Sequence, residues 1–141
     1  MLTVMLSAQA REPITNYRLG CMGCHLADGS GAPGKVPSMR DSLVPLAAMA
    51  EGRRYLVQVP GMAQSPFTDA EVAQLLNWMI RNLSDQSVPP YFVEFTEAEV
   101  AEHRDGWIEN VASRRAMLLS KATAPPTQRH SADPGQAEKS R

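Results

Sequence analysis

The chain has 141 residues, 43% of them apolar, and its 14 basic and 15 acidic side chains leave a formal charge of -1 at neutral pH. That length and apolar content predict a single core, while the balanced charge excludes an electrostatic grip on nucleic acid and no apolar run reaches the roughly 18–20 residues needed to cross a bilayer. Only 6% of residues are aromatic, so a core of this size would gain from a further large apolar body bound inside it.

Residues 1–10 combine a short apolar run, Leu2 to Leu6, with Ala8-Gln9-Ala10, the small-x-small pattern of a signal cleavage site; without a basic leader they read as a truncated export signal. From Arg11 to Leu19 a helix is predicted, with Pro13 at an early position where its missing N–H costs nothing. Residues 26–39 are dense in Gly and Pro and read as a structured loop, a length of irregular chain that usually has a function. Residues 40–59 suggest one or two short helices interrupted near Pro45 and Gly52, followed by a second loop through Pro66.

The clearest helix runs from Phe67 to Leu83. Thr68 and Glu71 form a capping box, Phe67 and Val72 a hydrophobic staple, and Val72, Leu75, Leu76 and Met79 an apolar stripe. Thr96, Glu99, Phe95 and Val100 repeat the pattern, which reads as the same capping physics used twice rather than a duplication. Residues 84–120 form a helical extension with a break near Gly106, in which Tyr91, Phe92, Phe95 and Trp107 are expected to wrap the core; the alternative is an arm that docks a partner. Residues 121–141 lack apolar periodicity and are expected to be disordered. No strand pattern appears, so the predicted fold is all-α.

Both cysteines and one of the three histidines fall in Cys21-Met22-Gly23-Cys24-His25. Two thiols at this spacing suit a dithiol redox pair, but those sit after a strand, and none precedes Cys21. A zinc site would need His25 and a distant histidine, His103 or His130, to complete four ligands. A disulfide across two residues closes too small a loop to stabilise much. The fourth reading is covalent haem: each thiol adds to one porphyrin vinyl group and the adjacent histidine ligates the iron. It gives all three residues a role, and it requires a sixth ligand and a pocket elsewhere in the chain.

Over about Pro13 to Leu83 the sequence resembles the class I c-type cytochromes. Tyr17, four residues before Cys21, stands where that family has an aromatic that packs on its C-terminal helix, and Trp78 and Leu75 are the corresponding partners. Pro37, twelve residues after His25, matches the loop proline whose carbonyl accepts a hydrogen bond from the histidine's outer nitrogen, fixing the ring and raising its basicity. Met62 lies in "GMAQSPFTDAEVAQLLNWMI", which looks like the family's methionine loop and C-terminal helix. Met39, by contrast, matches a packing residue, Met79 belongs to the helix stripe and Met49 to a short helix; a methionine is most often core filler. Pro13 replaces a frequent family glycine, implying a changed crossing of the terminal helices, and the short interval between His25 and Met62 implies a reduced fold with one exposed haem edge.

The resemblance implies residues 11–83 as a monohaem domain holding one haem c through Cys21 and Cys24, with His25 and Met62 as iron ligands. Arg53, Arg54, Tyr55 and Gln58 are the candidates for the haem propionates, since guanidinium forks suit carboxylates. With both axial positions filled the iron has no site for substrate, so the implied activity is one-electron transfer rather than enzyme catalysis. Implied partners are redox proteins, a dehydrogenase as donor and an oxidase or another cytochrome as acceptor, met briefly or, if this is a dedicated subunit, in a stable complex. A haem sensor with a displaceable sixth ligand is a further alternative. Covalent haem attachment occurs outside the bacterial inner membrane, so the implied location is the periplasm.

Overall fold

The computed structural model describes residues 11–124, and the expectations for the export signal and for most of the C-terminal tail lie outside them. The described residues form seven helices and no strand: α1 Pro13–Gly20, α2 Leu43–Ala47, α3 Ala50–Gln58, α4 Pro60–Ala63, α5 Asp69–Leu83, α6 Glu97–His103 and α7 Val111–Thr123. The all-α expectation holds for this part of the chain. None of these helices is long and apolar enough to cross a membrane.

Helix α5 organises the core. Thr68 accepts a hydrogen bond from the Glu71 backbone while the Glu71 carboxylate accepts one from the Thr68 backbone, completing the expected capping box. Its stripe of Val72, Leu75, Leu76, Met79, Ile80 and Leu83 is buried. Helix α1 packs on it through Tyr17, whose ring lies 5.5 Å from that of Trp78 in a tilted arrangement, within the range favoured by aromatic pairs. Pro13 opens α1 as expected.

The middle of the chain differs from the sequence reading. The interruption falls at Ala48–Met49, not at Pro45 or Gly52: Pro45 sits in the first turn of α2, where its missing donor is tolerated, and Gly52 lies inside α3. A Cβ at Gly52 would stand 2.1 Å from the Leu46 carbonyl oxygen, so only glycine lets α2 and α3 meet this closely. The expected loop after Val59 contains the four-residue α4, started by Pro60 at its first position.

The extension packs on the rest of the fold, α6 on α5 and α3, α7 on α2 and α3. The Asn77 side chain on α5 pins its entry, donating to the Phe95 carbonyl at 3.0 Å and accepting from the Phe95 amide at 2.8 Å. Phe95, Val100 and Leu118 are buried and Phe92 is half-buried, but Tyr91 and Trp107 are 81% and 84% exposed, so only two of the four expected aromatics join the core. Helix α7 starts at Val111, capped by Asn110, and runs on to Thr123; Lys121, Ala122 and Thr123, expected to be disordered, are helical, and Lys121 pairs with Glu51.

Thr96 caps α6 by accepting from the Glu99 backbone, but the second half of the box is missing. The Glu99 carboxylate instead takes a bidentate bond from Arg53, 2.6 Å to each oxygen, while the guanidinium lies 3.8 Å over the Phe95 ring. Breaking a buried pair by removing one partner costs about 3–5 kcal/mol; with 23% of the Glu99 side chain reaching water, a loss of about 2 kcal/mol is expected for Glu99→Ala. Urea unfolding measures it, and a loss under about 0.5 kcal/mol, the scale of an ordinary surface substitution, would rule the pair out as the anchor of the extension.

Candidate functional site

The end of α1 carries the first part of the site. The Cys21 amide continues the helix by bonding the Tyr17 carbonyl at 2.9 Å, and the amides of Cys24 and His25 turn back onto the Cys21 carbonyl at 3.1 and 2.9 Å. This tight turn puts Cys21, Cys24 and His25 along one wall of a cavity. The Tyr17 hydroxyl donates to the Leu26 carbonyl at 2.6 Å and so ties the far side of the turn to α1.

The cavity has a volume of about 310 Å³ and is lined almost entirely by apolar groups, among them Leu43, Leu46, Leu56, Val59, Leu76 and Met79. Such a size falls within the roughly 300–1,000 Å³ typical of small-molecule and cofactor sites. Pro37 reaches it from the Gly/Pro-rich loop and Met62 from α4, so residues far apart in sequence meet at one space. Met62 is 5% exposed, and its carbonyl accepts from the Ser65 hydroxyl at 2.9 Å. Met39 also lines the cavity; Met49 does not.

The titrating groups are tuned by burial. Burial lowers the proton affinity of His25, favouring the neutral imidazole, the form with a lone pair to give to a metal. Its Nδ1 is buried and has no hydrogen-bond partner. The expected bond to the Pro37 carbonyl is not formed, and the loop that carries Pro37 backs closely onto Gly31, where a Cβ would lie 2.0 Å from the Val36 oxygen. Burial pushes the Cys21 thiol up to about 11. A dithiol redox nucleophile needs a lowered value, so this pair is poorly suited to that chemistry. Both thiols are free.

Nor do the described residues bring together three His, Cys, Asp or Glu side chains able to hold a metal by themselves. His103 ends α6, away from the cavity, where its carbonyl accepts from Gln58 at 3.1 Å; His130 lies outside the described residues. The four-ligand zinc site is therefore not assembled from Cys21, Cys24, His25 and His103.

No family model and no curated protein matches this chain.

Of the four candidates for a charged group's partner, Tyr55 alone lines the cavity. Arg53 is committed to Glu99 and Phe95, Arg54 faces a separate groove beside Trp107, and Gln58 lines that same groove. The guanidinium at the cavity belongs to Arg115 of α7, which donates to the Ser38 carbonyl at 2.8 Å and lies 3.5 Å from Asp41. Val111 joins it, accepting a 3.4 Å bond at its carbonyl from the Tyr55 hydroxyl. In the sequence, Arg115 is one of several charged residues on an amphipathic helix, and no local signal separates it from a solvated one.

A haem fits what these residues offer. The space is apolar, and it is bordered by two thiols, by the His25 imidazole and by the thioethers of Met39, Met62 and Met79, donors that come from different segments. Cys24 is exposed, as are Leu19, Met22 and Leu26 around it, so this edge of the cavity faces water. α7 covers another side, through Val111 and Arg115.

Proposed function

We propose that this protein is a periplasmic one-electron carrier that holds a single haem c, attached through Cys21 and Cys24 and ligated by His25 and Met62. The observation that carries the proposal is the meeting of Cys21, Cys24, His25, Pro37 and Met62 at one apolar cavity, although three separate segments supply them. The bound group would supply reversible Fe(III)/Fe(II) chemistry, with a soft thioether that favours the reduced iron.

The chain's own residues define the rest. Cys21 and Cys24 fix the group by two bonds on one turn, and His25 presents a neutral imidazole because burial disfavours its charged form. Leu43, Leu46, Leu56, Val59, Leu76 and Met79 exclude water, and a dry surround disfavours the more highly charged oxidised state. The exposed edge at Cys24, with Met22 and Leu26, is where a redox partner could approach most closely. Small, short-lived contacts suit such transfer.

Expression with a haem-attachment system tests the proposal. Haem absorbance should persist after denaturation, since thioethers survive it, and the oxidised protein should show the weak near-infrared band of Met–Fe(III) ligation. A denatured chain without a Soret band would end the haem reading. Carbon monoxide binding by the native reduced protein would favour a sensor with a displaceable Met62.

Arg115 provides a further check, because a cation beside the cavity stabilises the more negative, reduced state. Arg115→Gln should lower the reduction potential by roughly tens of millivolts, the scale of one partly screened charge. Redox titration measures it, and an unchanged potential would place the arginine's influence in packing alone.

The exposed rings of Tyr91 and Trp107 favour a second reading, a dedicated electron-transfer subunit of a dehydrogenase or oxidase complex, since aromatics are enriched at protein interfaces. Gel filtration of the native protein distinguishes the two: a free carrier elutes at the mass of one chain and a subunit elutes with its enzyme.

A further inference from the structure

The segment that carries Met62 holds itself together only by short-range turn bonds, the last of them from the Ser65 amide to the Met62 carbonyl at 3.2 Å. Helix α4 has four residues, and the chain from Gln64 to Thr68 is irregular before α5 begins. A four-residue helix cannot satisfy its own terminal carbonyls. The carbonyl of its last residue, Ala63, and those of Ser65 and Phe67 in the irregular chain that follows are all reached by one side chain, Arg104, at the C-terminal end of α6.

The guanidinium of Arg104 is spent on this segment and on Asp69, the first residue of α5. Its Nε donates to the Ala63 carbonyl at 3.3 Å, Nη1 to the Phe67 carbonyl at 2.7 Å and to Asp69 Oδ1 at 2.8 Å, and Nη2 to the Ser65 carbonyl at 2.6 Å and the Ser65 hydroxyl at 3.1 Å. The Ser65 hydroxyl in turn donates to the Met62 carbonyl at 2.9 Å. A chain of two hydrogen bonds therefore runs from Arg104 to the backbone of Met62. Only 14% of the Arg104 side chain is exposed, so these charge-assisted bonds are little weakened by water. Lysine, with one point of charge, cannot reproduce the planar fork.

We propose that Arg104 is the positioning residue for Met62: it holds the 60–68 segment in the one arrangement that presents the thioether to the cavity, and so sets how readily an outside ligand displaces that sulfur. The inference rests on the haem reading of the cavity. Arg104 does not itself line the cavity, and its hydrogen bonds reach Met62 only by way of Ser65, so it acts through the segment's conformation. Its position in the extension gives residues 84–123 a part in tuning the site.

The test uses the full-length, haem-loaded protein and imidazole as the outside ligand. In Arg104→Gln the near-infrared band should weaken, imidazole affinity should rise by roughly tenfold, and amide hydrogen exchange should quicken across residues 61–67 but not in the middle of α5. Arg104→Lys should fall between the two. If Arg104→Gln does not fold, Ser65→Ala, which removes the hydroxyl between Arg104 and the Met62 carbonyl but keeps Arg104 on the Ala63, Ser65 and Phe67 carbonyls, should shift imidazole affinity in the same direction by a smaller factor. A parent protein with the band and variants with unchanged imidazole affinity and exchange would overturn this inference and leave the haem reading intact. A parent protein with haem but no such band would overturn Met62 ligation, and this inference with it.

Discussion

Replacing Met62 with leucine should leave the haem-loaded protein folded, abolish its near-infrared band, allow the reduced form to bind carbon monoxide and lower its reduction potential. The choice of leucine separates ligation from packing. Met62 is buried, and truncation to alanine would cost about 2–5 kcal/mol through lost contacts and a cavity, confusing the result. A Met-to-Leu exchange conserves volume and costs less than about 1.5 kcal/mol, so the difference that remains is the sulfur. Thioether sulfur prefers ferrous iron, and each tenfold of that preference is worth about 59 mV in a one-electron couple. Losing two to three decades of preference lowers the potential by roughly 120–180 mV. An unchanged near-infrared spectrum would transfer the role to Met39 or Met79, which line the same cavity.

Gly52→Ala should destabilise the fold severely, although helix propensity argues the opposite. Gly52 lies within α3, where alanine is favoured over glycine by about 1 kcal/mol. Sterics decide the sign. The new methyl would stand 2.1 Å from the Leu46 carbonyl oxygen and 2.8 Å from its carbon, and both are backbone atoms that cannot swing aside. Moving α2 off α3 costs about 3 kcal/mol, for a net loss of about 2 kcal/mol and a fall in Tm of roughly 8–16 °C for a domain near one hundred residues. Thermal unfolding followed by circular dichroism measures it; an equal or higher Tm would refute the close approach. Because Leu43 and Leu46 on α2 and Tyr55 and Leu56 on α3 line the cavity, the same substitution should also weaken whatever binds there.

The elements legible in the sequence are those specified by nearby residues. The capping box of Thr68 and Glu71 and the stripe that follows it need only a few turns of chain, so α5 could be drawn almost to the residue. The turn at Cys21 to His25 is equally local. Pro37 and Met62 are named by the family resemblance rather than by any local chemistry, and both reach the cavity. Residues whose partners come from distant segments were not legible. Arg53 and Arg115 are both arginines on helices, and nothing near either one reveals that Glu99, 46 positions away, claims the first, or that the second reaches Ser38 across 77 positions. The missed break at Ala48–Met49 has a similar cause: Gly52 looked like a helix breaker because the neighbour that requires it, the Leu46 carbonyl, is set by the crossing of two helices.

The wall formed by α7 bears on the order in which the molecule can be assembled. Val111 and Arg115 close a cavity whose other lining residues all lie between Gly20 and Met79. The pocket they form stays open on one flank until residues 84–110 have turned and α7 has docked across it. Under the proposed attachment after export, the haem would be bonded to Cys21 and Cys24 before that wall closes. α7 then acts as a door shut last, and a chain cut before residue 111 should still acquire its haem but leave it more open to water and to outside ligands than in the full-length protein.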